Sequence, residues 1–270
     1  ELNRDRINLI DKNVNSQDVD ADFVIDCSGS PKTLNNYKKA NFIPVNSAIV
    51  KQCSWSYPRY HYTLCIAARN GWVFGIPLKD RISFGYLFNK KFTKKNEIVA
   101  ELDEIINSYF LDAPKEFLDL KFNNYFKKVN YKKNVFFNGN ASFFLEPMEA
   151  TSLATVDDIN RDIFDIIFQN RTQKFCNNRY KNWFLQVQKI INLHYLAGSS
   201  FDSDFWSYAQ DLAQQCLAVN DETYNEIIKN LYNPNFILNG NYGTWGVHSF
   251  RQNIEGLNLG HEIENISSLK

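Results

Sequence analysis

The sequence has no excess charge of either sign and no long apolar run. Its 30 basic and 30 acidic side chains give a formal net charge of zero, so nothing attracts the whole chain to nucleic acid or to an anionic lipid surface. No segment approaches the ~20 apolar residues of a membrane-spanning helix, and the first residues lack a signal-peptide pattern. These absences favour a soluble, cytoplasmic protein without nucleic-acid or membrane partners.

Cysteine and histidine are too scattered to suggest a disulfide framework or a metal centre. The chain has five cysteines without a C-x-x-C motif and four histidines far apart from one another. This pattern indicates reduced, mostly buried thiols and argues against a zinc site. We therefore expect no metal. Hydrophobic residues make up 44% of the chain, which is typical of a globular protein and excludes disorder as the main state.

The apolar pattern predicts a sheet-rich front half. A buried strand is predicted over Ala21–Gly29, where an apolar run ends on small residues. Short β-branched and aromatic runs between Asn46 and Phe88 indicate an antiparallel meander. A helix with one apolar face fits Lys95–Tyr109, and strands are predicted at Phe117–Lys127 and Asn134–Phe137.

The back half of the chain is predicted to be helical almost throughout. After a helix that begins near Leu153, helices are predicted at Gln173–Tyr195, Asp204–Val219, Glu222–Leu231 and Val247–Leu257. Asp202 or Ser203, and Asp221, occupy positions typical of N-caps. The expected fold class is therefore mixed α/β (α+β), with the two parts packed as one body.

A strand, a glycine turn and a helix follow one another in the region most able to carry chemistry. The run Val135–Phe137 leads into Asn138-Gly139-Asn140, and a second apolar run leads through Pro147 to a helix. Gly139 allows close approach of a ligand to the backbone, and an amide such as Asn140 can bond a ribityl hydroxyl. The helix N-terminus offers N–H groups to an anion or to a ring edge.

A purely structural interpretation of the same pattern stays open. Asn138-Gly139 is also typical of a hairpin, and Thr151 or Ser152 can be a plain helix cap. Two carboxylates, Glu146 and Glu149, flank Pro147. Either could stabilise the helix N-terminus or act as a buried proton acceptor, and their spacing alone does not decide.

The segment Phe144-Leu145-Glu146-Pro147-Met148-Glu149-Ala150-Thr151-Ser152 resembles the F-[LV]-E-P-L-E-[SA]-T-[GS] signature of the flavin-dependent tryptophan halogenases. Three further matches occur in the order of that family. Asp22–Gly29 resembles D-x-x-I-D-C-[ST]-G, Trp72–Leu78 resembles W-x-W-x-I-P followed by L, and Gly85-Tyr86 with Phe92 resembles G-Y…F. In the helical part, His194-Tyr195 and Phe205-Trp206 stand at the family's H-Y…F-W spacing.

The departures from the family pattern are also informative. The G-x-G-x-x-G fingerprint and the segment with the catalytic lysine, which precede D-C-S-G in the family, are absent, and Lys79 is not that lysine. Phe74 replaces the second tryptophan, and Ser200 stands where an arginine is common. The chain begins with Glu1 and not with methionine. We expect a fragment or a natural truncation that does not turn over substrate by itself.

The resemblance implies a truncated FAD-binding, flavin monooxygenase-like fold. On this basis residues 1–45 are the remainder of the FAD-binding domain and residues 46–130 form a substrate-side β-sheet. Residues 131–170 return to the FAD-binding domain with the flavin and halide helix, and residues 171–270 form a helical substrate-side part.

The resemblance also implies a reaction and its participants. A separate reductase supplies FADH2, a halide attacks the flavin hydroperoxide, and the resulting hypohalous acid halogenates an electron-rich aromatic such as tryptophan or another indole. A homodimer is a further expectation. Two alternatives remain: a flavin-dependent aromatic hydroxylase, and a non-catalytic protein that binds an aromatic or flavin-like ligand.

The resemblance assigns roles to individual residues of this chain. Glu149 is the predicted catalytic carboxylate, which works with the absent lysine to orient the electrophile or to take the ring proton. The predicted flavin-binding residues are Gly139, Asn140, Pro147, Ala150, Thr151 and Ser152, of which Thr151 and Ser152 also hold the halide. Trp72 and Phe74 are predicted to wall the space between flavin and substrate, although ordinary strand core explains them equally well. Trp183, Trp206, Tyr242 and Trp245 are candidates for stacking on a flat substrate, and most of them are expected in the core.

Overall fold

A computed structural model describes residues 6–56, 61–236 and 245–268; within these ranges the side chains of Glu149, Ser267 and Ser268 are not described. The strands are β1 (Val24–Asp26), β2 (Tyr37–Lys39), β3 (Ser47–Ser54), β4 (Leu64–Ala68), β5 (Gly71–Pro77), β6 (Arg81–Phe88), β7 (Leu118–Lys121), β8 (Tyr125–Lys127), β9 (Tyr131–Lys132), β10 (Val135–Phe137) and β11 (Phe143–Phe144). The helices are α1 (Lys95–Ser108), α2 (Thr151–Phe168), α3 (Gln173–Ala197), α4 (Asp204–Ala218), α5 (Glu222–Lys229), α6 (Val247–Gly256) and α7 (Gly260–Ser268).

The strands predicted between Asn46 and Phe88 form the central sheet of the molecule, but the prediction of a simple meander is wrong, because β3 pairs with β6 and not with β4. The five antiparallel strands of this sheet lie in the order β4-β5-β6-β3-β7. Helix α1 covers one face through Ile98, Leu102 and Ile106, which are fully buried. Their spacing of four residues puts them on one side of the helix. The other face packs into a larger core that includes Trp72 and Leu87 together with the apolar side chains of the helical part.

Helix α3 is the central helix of the back half. It runs two residues beyond the predicted end and is buried along most of its 25 residues. Two predicted N-caps are confirmed. The Ser203 hydroxyl accepts a hydrogen bond from the Trp206 N–H at 3.3 Å, and the Asp221 carboxylate accepts one from the Tyr224 N–H at 2.6 Å. These caps satisfy N–H groups of the first turns of α4 and α5.

Two three-stranded sheets link the front to the helices. One has the order β1-β10-β9, with β1 and β10 parallel, and the other has the order β11-β8-β2. The predicted strand Phe117–Lys127 is wrong as a single element. It breaks into β7, which joins the central sheet, and β8, which joins a small sheet, because the two halves pair with different partners.

The expectation of a buried strand over Ala21–Gly29 also needs correction. Only Val24–Asp26 is strand, and its Ile25 is 50% exposed, because β10 lies on one edge while no described helix covers this face. None of the five cysteines forms a disulfide, as the sequence predicted, but Cys27 and Cys65 are exposed. The prediction of buried thiols is therefore correct for three of the five. Cys65 is exposed because its side chain alternates outward from β4.

Two features are absent from the described ranges. None of the helices found there is long and apolar enough to cross a bilayer. In the same part of the chain, His, Cys, Asp and Glu side chains form no group of three or more that could hold a metal ion.

Candidate functional site

The carboxyl ends of the two parallel strands form the base of the candidate site. In the β1–β10 register Asp26 lies beside Phe137, and the Asn138 N–H donates to the Asp26 carbonyl at 2.9 Å. Each strand is followed by a glycine with positive φ, +93° at Gly29 and +55° at Gly139. A Cβ at either glycine would meet no atom within 4 Å. The backbone at both glycines is therefore uncrowded, at the carboxyl ends of parallel strands, where α/β folds commonly bind ligands.

Asn138 fixes helix α2 against this strand end. Its side-chain Nδ2 donates to the Val156 carbonyl at 3.2 Å and to the Asn160 amide oxygen at 2.8 Å. Its Oδ1 accepts a hydrogen bond from the Gly139 N–H at 2.7 Å. The hairpin suggested by Asn138-Gly139 is wrong, because this residue bonds to a helix and the chain forms a 3-10 turn. Sequence analysis missed Asn138 as a positioning residue because its helical partners lie about 20 residues away.

The predicted flavin residues Gly139 and Asn140 lie in that 3-10 turn at the strand end. Asn140 is exposed, while its backbone carbonyl accepts a hydrogen bond from the Tyr125 hydroxyl at 2.8 Å. The turn is therefore anchored through its backbone, and the amide side chain of Asn140 is exposed.

The nine-residue segment Phe144–Ser152 runs from a strand end into a helix start. Pro147 precedes a 3-10 turn, Met148–Ala150, and α2 begins at Thr151. Ala150 occupies the N-cap position with φ 48° and ψ 33°, the left-handed region that L-residues seldom adopt. Its methyl group cannot accept a hydrogen bond from the first turn. The helix N-terminus thus lacks the usual Ser, Thr, Asp or Asn cap.

Thr151 is fully buried and Ser152 half-buried at this helix start. The Thr151 hydroxyl donates to the Glu146 carbonyl at 3.4 Å, and the Thr151 carbonyl accepts from the Thr155 hydroxyl at 2.6 Å. Because the Thr151 side chain is engaged within the protein, the backbone and the helix dipole are what this end offers to an anion. The side chain of Glu149, the predicted catalytic residue, lies outside the described part of the structure; its backbone belongs to the 3-10 turn.

Glu146 is the most unusual group of the region. Its carboxyl is fully buried, and Oε2 accepts hydrogen bonds from the Tyr195 hydroxyl at 2.7 Å and from the Trp72 Nε1 at 3.3 Å. Burial raises the pKa of Glu146 to about 7, although the two hydrogen bonds and the charge of His194 lower it. Glu146 therefore binds a proton near neutral pH.

In the sequence Glu146 is one of two carboxylates that flank Pro147, and their spacing does not show which of them is the buried proton acceptor. The partners of Glu146 lie 74 and 49 residues away in the chain. No local pattern signals such contacts. The only available sign was the position of Glu146 directly after an apolar run, which indicates burial.

Trp72 and Phe74 lie on the same face of β5, as alternation along a strand requires. Their ring centroids are 6.0 Å apart at an interplanar angle of 58°. Trp72 is buried, while Phe74 is half-buried and crosses over Gly85 of the neighbouring strand. The two rings therefore form one surface, whose Trp72 end contacts Glu146.

The aromatic residues proposed for stacking are distributed between core and surface. Trp206 is buried and its Nε1 donates to the Ala68 carbonyl at 2.8 Å, so it joins α4 to the central sheet. Trp183 is buried beside Phe184 on α3, and Trp245 is half-buried. Tyr242 lies outside the described residues. Trp206 and Trp183 thus pack in the core, as expected for most of this set.

Comparison with known proteins places these features in one family. The model of the tryptophan halogenase family matches residues 3–253. Tryptophan 7-halogenase KtzQ of Kutzneria sp. (strain 744) is 24% identical over 207 residues, which cover 71% of this chain and 38% of KtzQ. Uncharacterized protein y4xG of Sinorhizobium fredii (strain NBRC 101917 / NGR234) is 28% identical over 213 residues, 73% of this chain and 40% of y4xG.

The fold is likewise that of the flavin-dependent halogenases. BrvH, a flavin-dependent halogenase from Brevundimonas sp. BAL3, superposes with a TM-score of 0.67 at 22% identity, over 88% of this chain and 49% of BrvH. The chain spans about two fifths of the length of the curated relatives it matches. Since the family model matches well over half of the chain, the protein belongs to the tryptophan halogenase family.

Proposed function

We propose that the complete protein halogenates an electron-rich aromatic ring, such as that of tryptophan or another indole. The reaction uses FADH2 from a separate flavin reductase and a halide ion. The proposal includes a cytoplasmic location and a homodimer, as the sequence predicted.

One observation carries the proposal. The segment that resembles the family signature, Phe144–Ser152, leads into helix α2, which Asn138 ties to the glycine-bearing ends of two parallel strands. The uncapped helix start favours an anion through its dipole and N–H groups. The open backbone at Gly29 and Gly139 accommodates a flat cofactor without a side chain in its way.

These residues fit a flavin. Gly139 and Asn140 would hold it from the strand end, and Pro147, Ala150, Thr151 and Ser152 would hold it from the loop and helix start. When bound, the reduced flavin supplies with oxygen the oxidising power that converts the halide to an electrophile. The backbone at Thr151 and Ser152 would hold the halide beside it.

The remaining roles belong to side chains of this chain. Glu149 orients the electrophile or accepts the proton that the ring loses on substitution. Trp72 and Phe74 exclude water from the space between flavin and substrate, which protects the electrophile from reaction with solvent.

The proposal extends to the division of the chain into residues 1–45, 46–130, 131–170 and 171–270. The pairing of β1 with β10 supports a common FAD-binding unit for the first and third of these segments. The central sheet and the helices from α3 onward then form the substrate side.

The test is turnover by the complete protein with a flavin reductase, NADH, FAD, oxygen, bromide or chloride, and tryptophan or indole. We expect a product whose mass spectrum carries the isotope pattern of one halogen atom. Glu149→Gln should reduce kcat at least tenfold. Glu226→Gln, which changes an exposed carboxylate on α5, should leave kcat unchanged.

Two outcomes would overturn the proposal. A product that gains oxygen and no halogen would identify an aromatic hydroxylase. Binding of flavin or indole without any turnover would identify a non-catalytic binding protein.

A further inference from the structure

The carboxyl of Glu146 lies where three parts of the molecule meet. Trp72 reaches it from β5 of the central sheet, and Tyr195 reaches it from α3 of the helical part. Its own backbone follows β11 and leads into α2. The exposed fraction of the side chain is 0%, so solvent does not share in these contacts.

Both donors converge on one oxygen atom of the carboxyl. Oε2 accepts from Tyr195 and Trp72, while Oε1 has no hydrogen-bond partner among the described atoms. The ionised form is favoured by the two donors and by His194 of the same helix as Tyr195, and it is disfavoured by burial. The group of β5 that contacts Glu146 is the Trp72 indole, which does not titrate. The balance of these opposing effects raises the pKa of Glu146 to about 7.

The backbone of Glu146 is tied to the helix start. The Thr151 hydroxyl donates to the Glu146 carbonyl at 3.4 Å, and Thr151 is fully buried. The residue that bears the buried carboxyl is therefore in direct contact, through its backbone, with the first residue of α2.

We propose that Glu146 is a positioning residue: its buried carboxyl, held by Trp72 and Tyr195, exchanges a proton and so sets the charge beside the start of α2. The ionised carboxyl repels an anion at the helix N-terminus, and the protonated carboxyl does not. Only this consequence for the halide depends on the function proposed above. The proton exchange itself does not depend on it.

The first experiment follows the indole N–H of Trp72 by ¹H–¹⁵N NMR in the complete protein labelled with ¹⁵N-tryptophan. Trp72→Phe identifies the cross-peak. We expect the Trp72 peak to shift between pH 5.5 and 8.5 with a single midpoint near 7. The peak of Trp206, whose indole donates to the backbone carbonyl of Ala68, should stay in place.

Two variants make this result specific. Glu146→Gln should abolish the pH-dependent shift of the Trp72 peak. Tyr195→Phe, which keeps the ring and removes one donor, should move the midpoint to higher pH. A Trp72 peak that does not move in the wild type, or that moves equally in Glu146→Gln, would overturn the proposal.

The second experiment measures bromide binding to the complete protein from the width of the ⁸¹Br resonance. In the wild type we expect the bromide dissociation constant to rise several-fold from pH 6 to pH 8, and we expect little change in Glu146→Gln. If the Trp72 peak titrates but bromide affinity is the same function of pH in both proteins, the role at the helix start is refuted. If bromide behaves as expected but no halogenated product forms, the proposed function fails and the inference about Glu146 stands.

Discussion

Buried polar side chains at single positions hold the parts of this molecule together. Glu146, Lys189 and Asn138 each have an exposed fraction of 3% or less. Each binds groups that are distant in sequence. Because an unpaired polar group in a protein interior costs more free energy than its hydrogen bond returns, such residues tolerate substitution poorly.

Glu146 should make stability depend on pH. Its pKa of about 7 in the folded protein lies above the ordinary value of 4.5, so the folded state binds the proton more tightly. The contribution of Glu146 to the free energy of unfolding is then largest below pH 4.5 and is lost as the pH rises through 7, a fall of about 3 kcal/mol for a shift of this size. Urea unfolding at pH 5 and pH 8 measures this fall, which Glu146→Gln should largely remove. An equal fall in both proteins would contradict the assignment.

Lys189 should be essential for the end of α4. Its buried Nζ donates to the carbonyls of Cys216, Leu217 and Val219 at 2.9–3.2 Å and lies 4.1 Å from the centre of the Tyr224 ring. Lys189→Met removes all three of these hydrogen bonds, although the Cys216 carbonyl keeps the one from the Val219 N–H, and should lower the free energy of unfolding by about 2–3 kcal/mol.

Lys174 provides the control for that experiment, because it lies on the same helix and is exposed. Lys174→Met should change the urea midpoint only slightly. A similar loss in the two variants would mean that the contacts of Lys189 with α4 contribute nothing specific.

At the scale of the element, the start of α2 is strained. Ala150 adopts the left-handed region at φ 48°, which costs about 1–2 kcal/mol for a residue with a Cβ. Ala150→Gly removes that cost, although it increases the entropy of the unfolded chain. We expect a small gain in the melting temperature. Ala197→Gly, at the last residue of α3, should instead lower the melting temperature, and equal effects at both sites would refute the claim of strain.

Strands β5 and β6 depend on a close cross-strand contact. A Cβ at Gly85 would lie 2.1 Å from the Phe74 ring, so Gly85→Ala should destabilise the protein by about 1–3 kcal/mol through overpacking. The cost should shrink when Phe74→Ala is also present, as a double-mutant cycle in urea would detect. Gly256→Ala, where an added Cβ meets no atom within 4 Å, is the control. Additive effects of the Gly85 and Phe74 changes would exclude a direct contact.

The elements themselves were largely predictable from local sequence. Helix α1 and the caps Ser203 and Asp221 follow from periodicity and from short polar side chains, which act over four residues or fewer. The break between β7 and β8 was not predictable, because it depends on which distant strand each half joins. The proton-binding character of Glu146 arises from contacts across two other elements, so the same reasoning could not identify it.

At the scale of the whole molecule, one side of α2 remains uncovered. Leu153, Phe164 and Phe168 fall within about 60° of one another at 100° per residue, and their exposed fractions are 77%, 53% and 66%. The rings of Phe164 and Phe168, whose centroids are 5.0 Å apart, form an exposed apolar patch of the kind that binds other apolar surfaces, and Leu153 lies about three turns away on the same side.

The 270-residue chain should therefore bind the dye 8-anilinonaphthalene-1-sulfonate with enhanced fluorescence. Replacing Leu153, Phe164 and Phe168 together by serine should remove most of the enhancement. Gln169→Ser, at an exposed position at the end of the same helix, should not. Unchanged fluorescence in the triple variant would place the dye elsewhere on the surface.

The pairing of β1 with β10 also determines when this part of the fold can form during translation. Val24 pairs with Val135, and at roughly 5–20 residues per second a ribosome needs about 6–20 s to make the intervening chain. The central sheet can form within that interval, since all of its strands, from β3 to β7, are made before β10. Strand β1, with Phe23 and Ile25 exposed, waits until β10 leaves the exit tunnel. The parallel strand pair at the candidate site is thus completed only after more than half of this chain has been translated.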